Sequence, residues 1–271
     1  MRVLVWAVVV LGAVWCGWWF IGARGAEQVA AEVERQLAAR GLEVSQAGVT
    51  VAGFPSRFDL TVNEPEVFDP ASGIGWQAPF AQVLTLSYAP WKLIAALPEE
   101  QVVMLPGQVV TVGSTRMRAS LFLRPRPGLP LDRFDAVAEG VSLRSDARWS
   151  LGFASANLSV IGQEGGAQLA VRLLDLVPDQ RMMAPLAGRG LPGTIARADL
   201  LADLSLSEAL GLRGGTPQVM AAELREADLV WGRLELKASG RVGVDDEGFA
   251  EGTIHLTVHN WQDGLAAAEA A

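Results

Sequence analysis

The first two dozen residues constrain this chain more than any other segment. The 19-residue run from Val3 to Ile21, VLVWAVVVLGAVWCGWWFI, carries no charge, and Arg2 and Arg24 flank it. An α-helix of that length, at about 1.5 Å per residue, is roughly 28 Å long, close to the thickness of the hydrocarbon core of a bilayer. The sequence therefore predicts a transmembrane anchor within residues 1–24.

A cleaved signal peptide is the alternative to a retained anchor. Signal peptides have an apolar run of about 7–15 residues, followed by small side chains at the cleavage site. Here the run is longer, and it ends in the bulky Trp18-Trp19-Phe20-Ile21. Trp favours the membrane–water interface, so Trp15, Trp18 and Trp19 are typical of an aromatic belt. We therefore expect the anchor to be retained.

Charge and composition predict where the rest of the chain lies. Only Met1 and Arg2 precede the run, so the positive-inside rule places the N-terminus in the cytoplasm and exports the large domain. The chain has 22 Lys and Arg residues, and all of them except Lys92 and Lys237 are Arg. We associate this composition with GC-rich bacteria. We expect a single-pass protein of the bacterial inner membrane whose main domain is periplasmic. The net charge of -8 argues against a nucleic-acid partner, because phosphate binding needs a basic face.

The rest of the chain is interpreted as one exported domain. Cys16, the only cysteine, lies inside the apolar run, so no intrachain disulfide is possible. A chain of this length buries a sizeable core without disulfides. We predict a β-rich domain over residues 25–264 and a frayed tail over residues 265–271.

The hydrophobic pattern changes period after residue 41. From Ala26 to Gly41 the apolar residues recur at helical spacing, which predicts a juxtamembrane amphipathic helix that ends at Gly41. Beyond it, apolar and polar residues alternate in short runs separated by Gly and Pro, the pattern of antiparallel hairpins. The clearest runs are Arg57–Val62, Val83–Tyr88, Arg116–Leu123, Arg233–Gly240 and Gly252–Val258. The predicted fold is mainly β, a curved antiparallel sheet of hairpins with a few short helices, among them Pro90–Leu97 and Thr216–Arg225.

No motif in the sequence predicts catalysis, a cofactor or a metal. Residues Gly188–Gly193 fit G-x-G-x-x-G, but the prolines in and before the motif argue against the strand and helix that a dinucleotide site needs. His255 and His259 are about 13 Å apart if they lie on a strand, too far to share a metal. The acidic run Asp245–Gly248 is typical of a hairpin turn. We expect a protein that is not an enzyme.

Short motifs resemble a known family. A Gly-Phe-Pro-x-Arg motif stands at Gly53–Arg57, soon after the anchor, and Asn260-Trp261 ends the last hairpin. Together they resemble an uncharacterised family of alphaproteobacterial exported proteins, catalogued as a domain of unknown function. The last forty or so residues are also similar, more weakly, to AsmA-like proteins, which are anchored at the inner membrane and whose sheets resemble grooves for lipid chains. Neither resemblance implies a catalytic residue.

Three functions stay open at this point. In the first, the sheet binds lipid or another apolar envelope ligand, and its apolar face is lined by Phe58, Leu60, Val62, Leu84, Leu86 and Leu121. In the second, the chain is a structural or protein-interaction component of the envelope. The third, an enzyme acting on an envelope substrate, is the least supported. An ordinary closed core is the alternative to a ligand-binding face, because any half-buried sheet alternates in this way.

Overall fold

The computed structural model describes residues 2–184, 191–211, 217–244 and 249–262. It contains one long helix, α1 (Arg2–Ala39), a four-residue helix, α2 (Gln180–Met183), and antiparallel strands. The strands in chain order are β1 (Glu43–Ser45), β2 (Gly48–Ala52), β3 (Arg57–Asn63), β4 (Glu66–Asp69), β5 (Ile74–Gln77), β6 (Phe80–Leu86), β7 (Ala89–Leu97), β8 (Glu100–Leu105), β9 (Gln108–Gly113), β10 (Arg116–Leu123), β11 (Leu131–Ser145), β12 (Ser150–Gln163), β13 (Gly166–Leu176), β14 (Ile195–Leu206), β15 (Val219–Trp231), β16 (Leu234–Val244) and β17 (Ala250–His259). The predicted β-rich antiparallel fold is confirmed.

All the strands belong to one open sheet that forks at β11. Its main arm has the order β2-β3-β6-β7-β10-β11, and it continues as a meander of long neighbouring strands from β11 to β17. A shorter arm, β1-β4-β5-β8-β9, joins β11 through residues 142–145. Because β11 is 15 residues long, it pairs with β10 along one part of its edge and with β9 along another. In the described residues β2 and β17 end the main arm.

The N-terminal helix is one element where the sequence predicts two. Helix α1 runs without interruption through Gly22 and Gly25 into the segment predicted as a separate juxtamembrane helix. Each glycine costs about 1 kcal/mol in a helix interior, which the strong helix formers around it offset. The predicted stop is correct: Gly41 has φ +88°, and Leu42 N–H donates to the carbonyl of Leu37 in a Schellman turn.

Two predicted helices are wrong. Residues 90–97 belong to β7, which pairs with β6 on one side and β10 on the other. From Val219 onward, the segment predicted as a helix through Arg225 is strand β15, between β14 and β16; Thr216 lies outside the described residues. Both segments are rich in Ala and Leu, which favour helices in isolation, but ladders on both edges override that preference.

Helix α1 is fixed to the sheet at a small aromatic cluster. Trp19 and Ala23 of the helix and Phe58 of β3 are all buried, and Val51 of β2 packs against them. The Trp19 and Phe58 rings stack with their centroids 6.0 Å apart. Gly22 leaves room for this contact, since a Cβ at that position would overlap the Phe58 ring. The helix and the sheet therefore share a packed junction.

Replacing Gly22 with Ala should loosen this junction. We expect Gly22→Ala to lower the free energy of unfolding by about 1–3 kcal/mol, the usual cost of overpacking, because the buried Phe58 ring must shift. Gly17→Ala is the matched control, since a Cβ at Gly17 meets nothing within 4 Å. Thermal unfolding of the full chain in detergent micelles measures both. Equal midpoints for the two variants would contradict the packing described.

Candidate functional site

Strand register sorts the side chains of the main arm onto two faces. Residues that face each other across antiparallel strands point to the same side of the sheet. One row of such partners crosses twelve strands, from Val51 on β2 to Leu256 on β17, and every member is apolar. The row is Val51, Leu60, Val83, Ala95, Ala119, Ala136, Leu158, Val171, Leu200, Ala227, Ala238 and Leu256. With the flanking rows on the same side, it forms what we term the apolar face, about 50 Å wide at ~4.8 Å per strand.

The opposite side of the main arm, which we term the charged face, carries ion pairs. Arg133 lies 2.6 Å from Asp135, and Asp199 bonds both Arg172 at 2.7 Å and Arg197 at 3.1 Å. Further pairs on this side are Arg57–Asp59, Arg116–Glu139 and Arg225–Asp203. Exposed pairs of this kind contribute little stability each. What they establish is that this side of the sheet faces water.

No second layer covers the apolar face in the described residues. The row of twelve residues contains no buried member: Leu256 is exposed, and the other members are half-buried. Buried apolar side chains form two small clusters there, the helix junction around Trp19 and a second one around Leu191 and Leu234. The apolar face is therefore a half-exposed surface rather than the wall of a closed core.

A strip of alanines makes this face concave near its middle. Ala95, Ala119, Ala136, Ala138 and Ala156 occupy adjacent positions on β7, β10, β11 and β12. Larger side chains border the strip, so that it lies at the bottom of a cavity of about 320 Å³ whose lining includes Leu97, Met117 and Leu158. A second cavity of about 290 Å³ follows on the same strands, lined by Leu121, Leu123, Leu131, Phe134, Val160, Leu210 and Gly211.

The structure brings together four of the six residues predicted to line an apolar ligand face. Phe58, Leu60, Val62 and Leu121 lie on the apolar face, where helix α1 covers Phe58 and Leu121 lines the second cavity. The other two are misplaced. Leu84 pairs with Asp59, and Leu86 pairs with Arg57, which puts both on the charged face.

The sequence analysis missed the alanine strip. The alanines stand among other apolar residues, as in Ala95-Ala96-Leu97 and Ala136-Val137-Ala138, so no alternation of apolar and polar residues marks them. The alanines could have been found as partners that face one another on neighbouring strands. That search requires the register between the strands to be known.

The remaining sequence candidates gather no ligand set. His255 and His259 are exposed on the charged face of β17, opposite Ser239 and Glu235. Among the described residues, no three His, Cys, Asp or Glu side chains come close enough to hold a metal ion. Residues 185–190, which include the first half of the G-x-G-x-x-G match, lie outside the described residues, as do the acidic run 245–248 and the tail.

Carboxylates on and near the charged face have shifted pKa values for local reasons. Burial raises the pKa of Asp135, but hydrogen bonds from Arg133 and Ser159 more than offset it, and the net pKa is lowered. The backbone N–H groups of Arg181 and Ser150 lower the pKa of Asp179. The pKa of Glu226 is raised, first by its hydrogen bond to Asp228 and then by the charge of that neighbour.

These features define a class of protein: an apolar N-terminal helix packed on an open antiparallel sheet with one apolar and one charged face. In the described residues, one helix, over Val9–Ala39, is long and apolar enough to be a membrane span or a signal sequence. The profile of a family described as an uncharacterized protein conserved in bacteria (DUF2125) matches residues 19–271, so the chain belongs to this family. No significant match was found among curated proteins or solved structures.

Neutralising Glu226 should stabilise the fold near neutral pH. In the folded protein the pKa of Glu226 is raised above its ordinary value of 4.5. The stability that this carboxyl contributes is therefore fully present below pH 4.5, and it is lost as the pH rises through the pKa of the folded state. We therefore expect Glu226→Gln to shift the urea midpoint upward at pH 7 and to match the wild type at pH 4. Glu43→Gln, at an exposed position on β1, is the control. A Glu226→Gln advantage of equal size at both pH values would contradict the pairing with Asp228.

Proposed function

We propose that this protein is a membrane-anchored periplasmic module, without catalytic activity or cofactor, that holds lipid acyl chains on the apolar face of its sheet. The observation that carries the proposal is the apolar face itself. It spans the sheet, it lacks a covering layer in the described residues, and it contains the concave strip of alanines. Uncovered apolar surfaces of this extent mark binding sites. Acyl chains match it in chemistry, because the walls of the cavity over the alanine strip are apolar.

Retention of the helix is supported by its contacts with the sheet. The indole of Trp19 donates to the carbonyl of Arg57 at 2.7 Å, and its ring is buried against Phe58. Trp15 donates in the same way to the carbonyl of Pro55 at 3.0 Å. Cleavage after the apolar run would remove both donors and expose Phe58. The helix is thus part of the folded unit, as a permanent anchor would be.

Orientation follows from the charges around the helix. We infer a cytoplasmic N-terminus and a periplasmic sheet in the bacterial inner membrane from Arg2 before the apolar run, which the positive-inside rule weighs against Arg24 behind it. In this arrangement the apolar face begins at the membrane, since Phe58 belongs to that face and also contacts the helix. Lipid would then reach the sheet directly from the bilayer.

The proposed absence of catalysis rests on how the polar groups are used. A catalytic site needs convergent polar groups in a pocket. Here the arginines and aspartates of the charged face pair with one another across and along strands, as Arg172 and Asp199 do. These pairs line an open cavity of about 620 Å³ on the charged face and occupy its polar groups, whereas the cavity over the alanine strip lies on the other side of the sheet and is apolar.

A structural or protein-interaction role in the envelope is the second candidate function. It is favoured by β17, whose outer edge pairs with no strand in the described part of the chain. The exposed fractions of Ile254 and Leu256 on this strand are 48% and 64%. An exposed, apolar edge strand is a template for pairing with another chain. This role does not require the cavity over the alanine strip.

Site-specific photocrosslinking tests lipid binding in cells. A photoreactive phenylalanine at Leu158, on the apolar face, should form adducts with phospholipid that are several-fold more abundant than those from Asn157, the next residue on the charged face. Leu158 lies five strands from β3, about 24 Å at ~4.8 Å per strand, and so well away from the anchor. Mass spectrometry of the purified full chain identifies the adducts.

The control positions separate the two candidate functions. Equal lipid labelling at Leu158 and Asn157, or none at either, would overturn the lipid-binding proposal. A photoreactive residue at Leu256 on β17 that yields only protein adducts, together with a lipid-free Leu158, would favour the interaction role instead.

A further inference from the structure

The turn between β2 and β3 carries a second set of exposed aromatic and apolar side chains next to helix α1. Phe54 at its tip is 52% exposed, and its ring centroid is 6.2 Å from that of Phe20, which is 61% exposed. Trp18 and Ile21 of the helix are also exposed, at 56% and 70%. These side chains continue the apolar surface of the predicted span onto the sheet domain.

Four carbonyl groups in and next to this turn have hydrogen-bond donors. The carbonyl of Gly53 accepts from Arg57 N–H, and the carbonyl of Ser56 accepts from both the N–H and the hydroxyl of Ser87. The carbonyls of Pro55 and Arg57 accept from the indoles of Trp15 and Trp19. Pro55 itself has no N–H to satisfy. Irregular backbone is tolerated at membrane depth only where its polar groups have such partners.

Helix geometry places the turn below the membrane surface. Trp19 and Trp15 precede the charged Arg24 by five and nine residues, which is about 7 and 13 Å along the helix axis. If Arg24 marks the headgroup level, the Arg57 end of the turn lies near the boundary between headgroups and acyl chains, and its Pro55 end lies several ångströms deeper, among the upper acyl chains. Arg57, at the upper end of the turn, has a 58% exposed side chain that can extend to the headgroups.

We propose that the Gly53–Ser56 turn inserts beside helix α1 into the bilayer interface, with Phe54 among the upper acyl chains. This inference rests on the proposed retention of the anchor. It deepens the proposed function, because two contacts instead of one fix the sheet to the membrane. They hold the start of β3, and with it the beginning of the apolar face, at the level of the lipid. Tyr88, 60% exposed in the neighbouring β6–β7 turn, is placed to mark the interface.

Fluorescence quenching at defined depths tests the insertion. The full chain carrying Cys16→Ser and Phe54→Cys is labelled with an environment-sensitive dye and reconstituted into phosphatidylglycerol–phosphatidylcholine vesicles that contain nitroxide lipids. We expect strong quenching by the nitroxide lipids and protection from aqueous iodide. Glu99→Cys in the same background is the control, since it lies in the β7–β8 turn at the opposite end of the sheet. Its lipid quenching should be several-fold weaker, and its iodide quenching stronger.

The native Cys16 distinguishes failure of this inference from failure of the anchor. A dye at Cys16 that is quenched by nitroxide lipids while the dye at position 54 responds only to iodide would overturn the turn insertion and leave the anchor in place. A dye at Cys16 without lipid quenching would overturn both.

A second variant tests the role of the indole donors. Trp15→Phe keeps an aromatic ring but removes the N–H that satisfies Pro55, so we expect the dye at position 54 to move toward water and its lipid quenching to fall. Unchanged quenching in this variant would contradict the argument from backbone satisfaction.

Discussion

The alternation of side chains across a one-layer sheet is the constraint on which the rest of this structure depends. A strand sends successive side chains to opposite faces, so a sheet that is apolar at every second position has one apolar side and one polar side. In most domains a second layer covers the apolar side. In the described part of this chain, helix α1 covers the end of β3 around Phe58, and Leu191 packs on Leu234 of β16. The remaining apolar surface is left for something outside the sheet to cover.

Several local features are consequences of that constraint. On the charged face, arginines and aspartates pair with one another, as Arg133 and Asp135 do, even where they line an open cavity of about 620 Å³ that crosses β11 to β15. The alanines of β7, β10, β11 and β12 make the apolar face concave near its middle, and larger side chains such as Leu97 and Leu158 form the walls of the cavity. At the edge by the helix, Gly22 allows the close contact that continues the apolar surface into the anchor.

The sequence predicts most of this fold, and its failures have physical causes. Strands such as β3 and β16 are visible because polar residues separate their apolar ones. In β6, by contrast, both faces are largely apolar, so Leu84 and Leu86 look like lining residues until pairing with Asp59 and Arg57 shows their side. The strand nature of residues 90–97 depends on two neighbouring ladders that local propensity does not contain. The alanine strip needs the register of four strands, and short-range pattern cannot supply it.

Native mass spectrometry of the full chain, released from mild detergent, tests the central claim most directly. If the apolar face holds acyl chains, the wild-type protein should carry lipid mass adducts, and Ala136→Glu, which places a carboxylate in the alanine strip, should lose them. Val137→Glu, one residue further and on the charged face opposite Arg118, should keep them. Adducts that are absent from the wild type, or that persist equally in both variants, would contradict a lipid-binding role for this face.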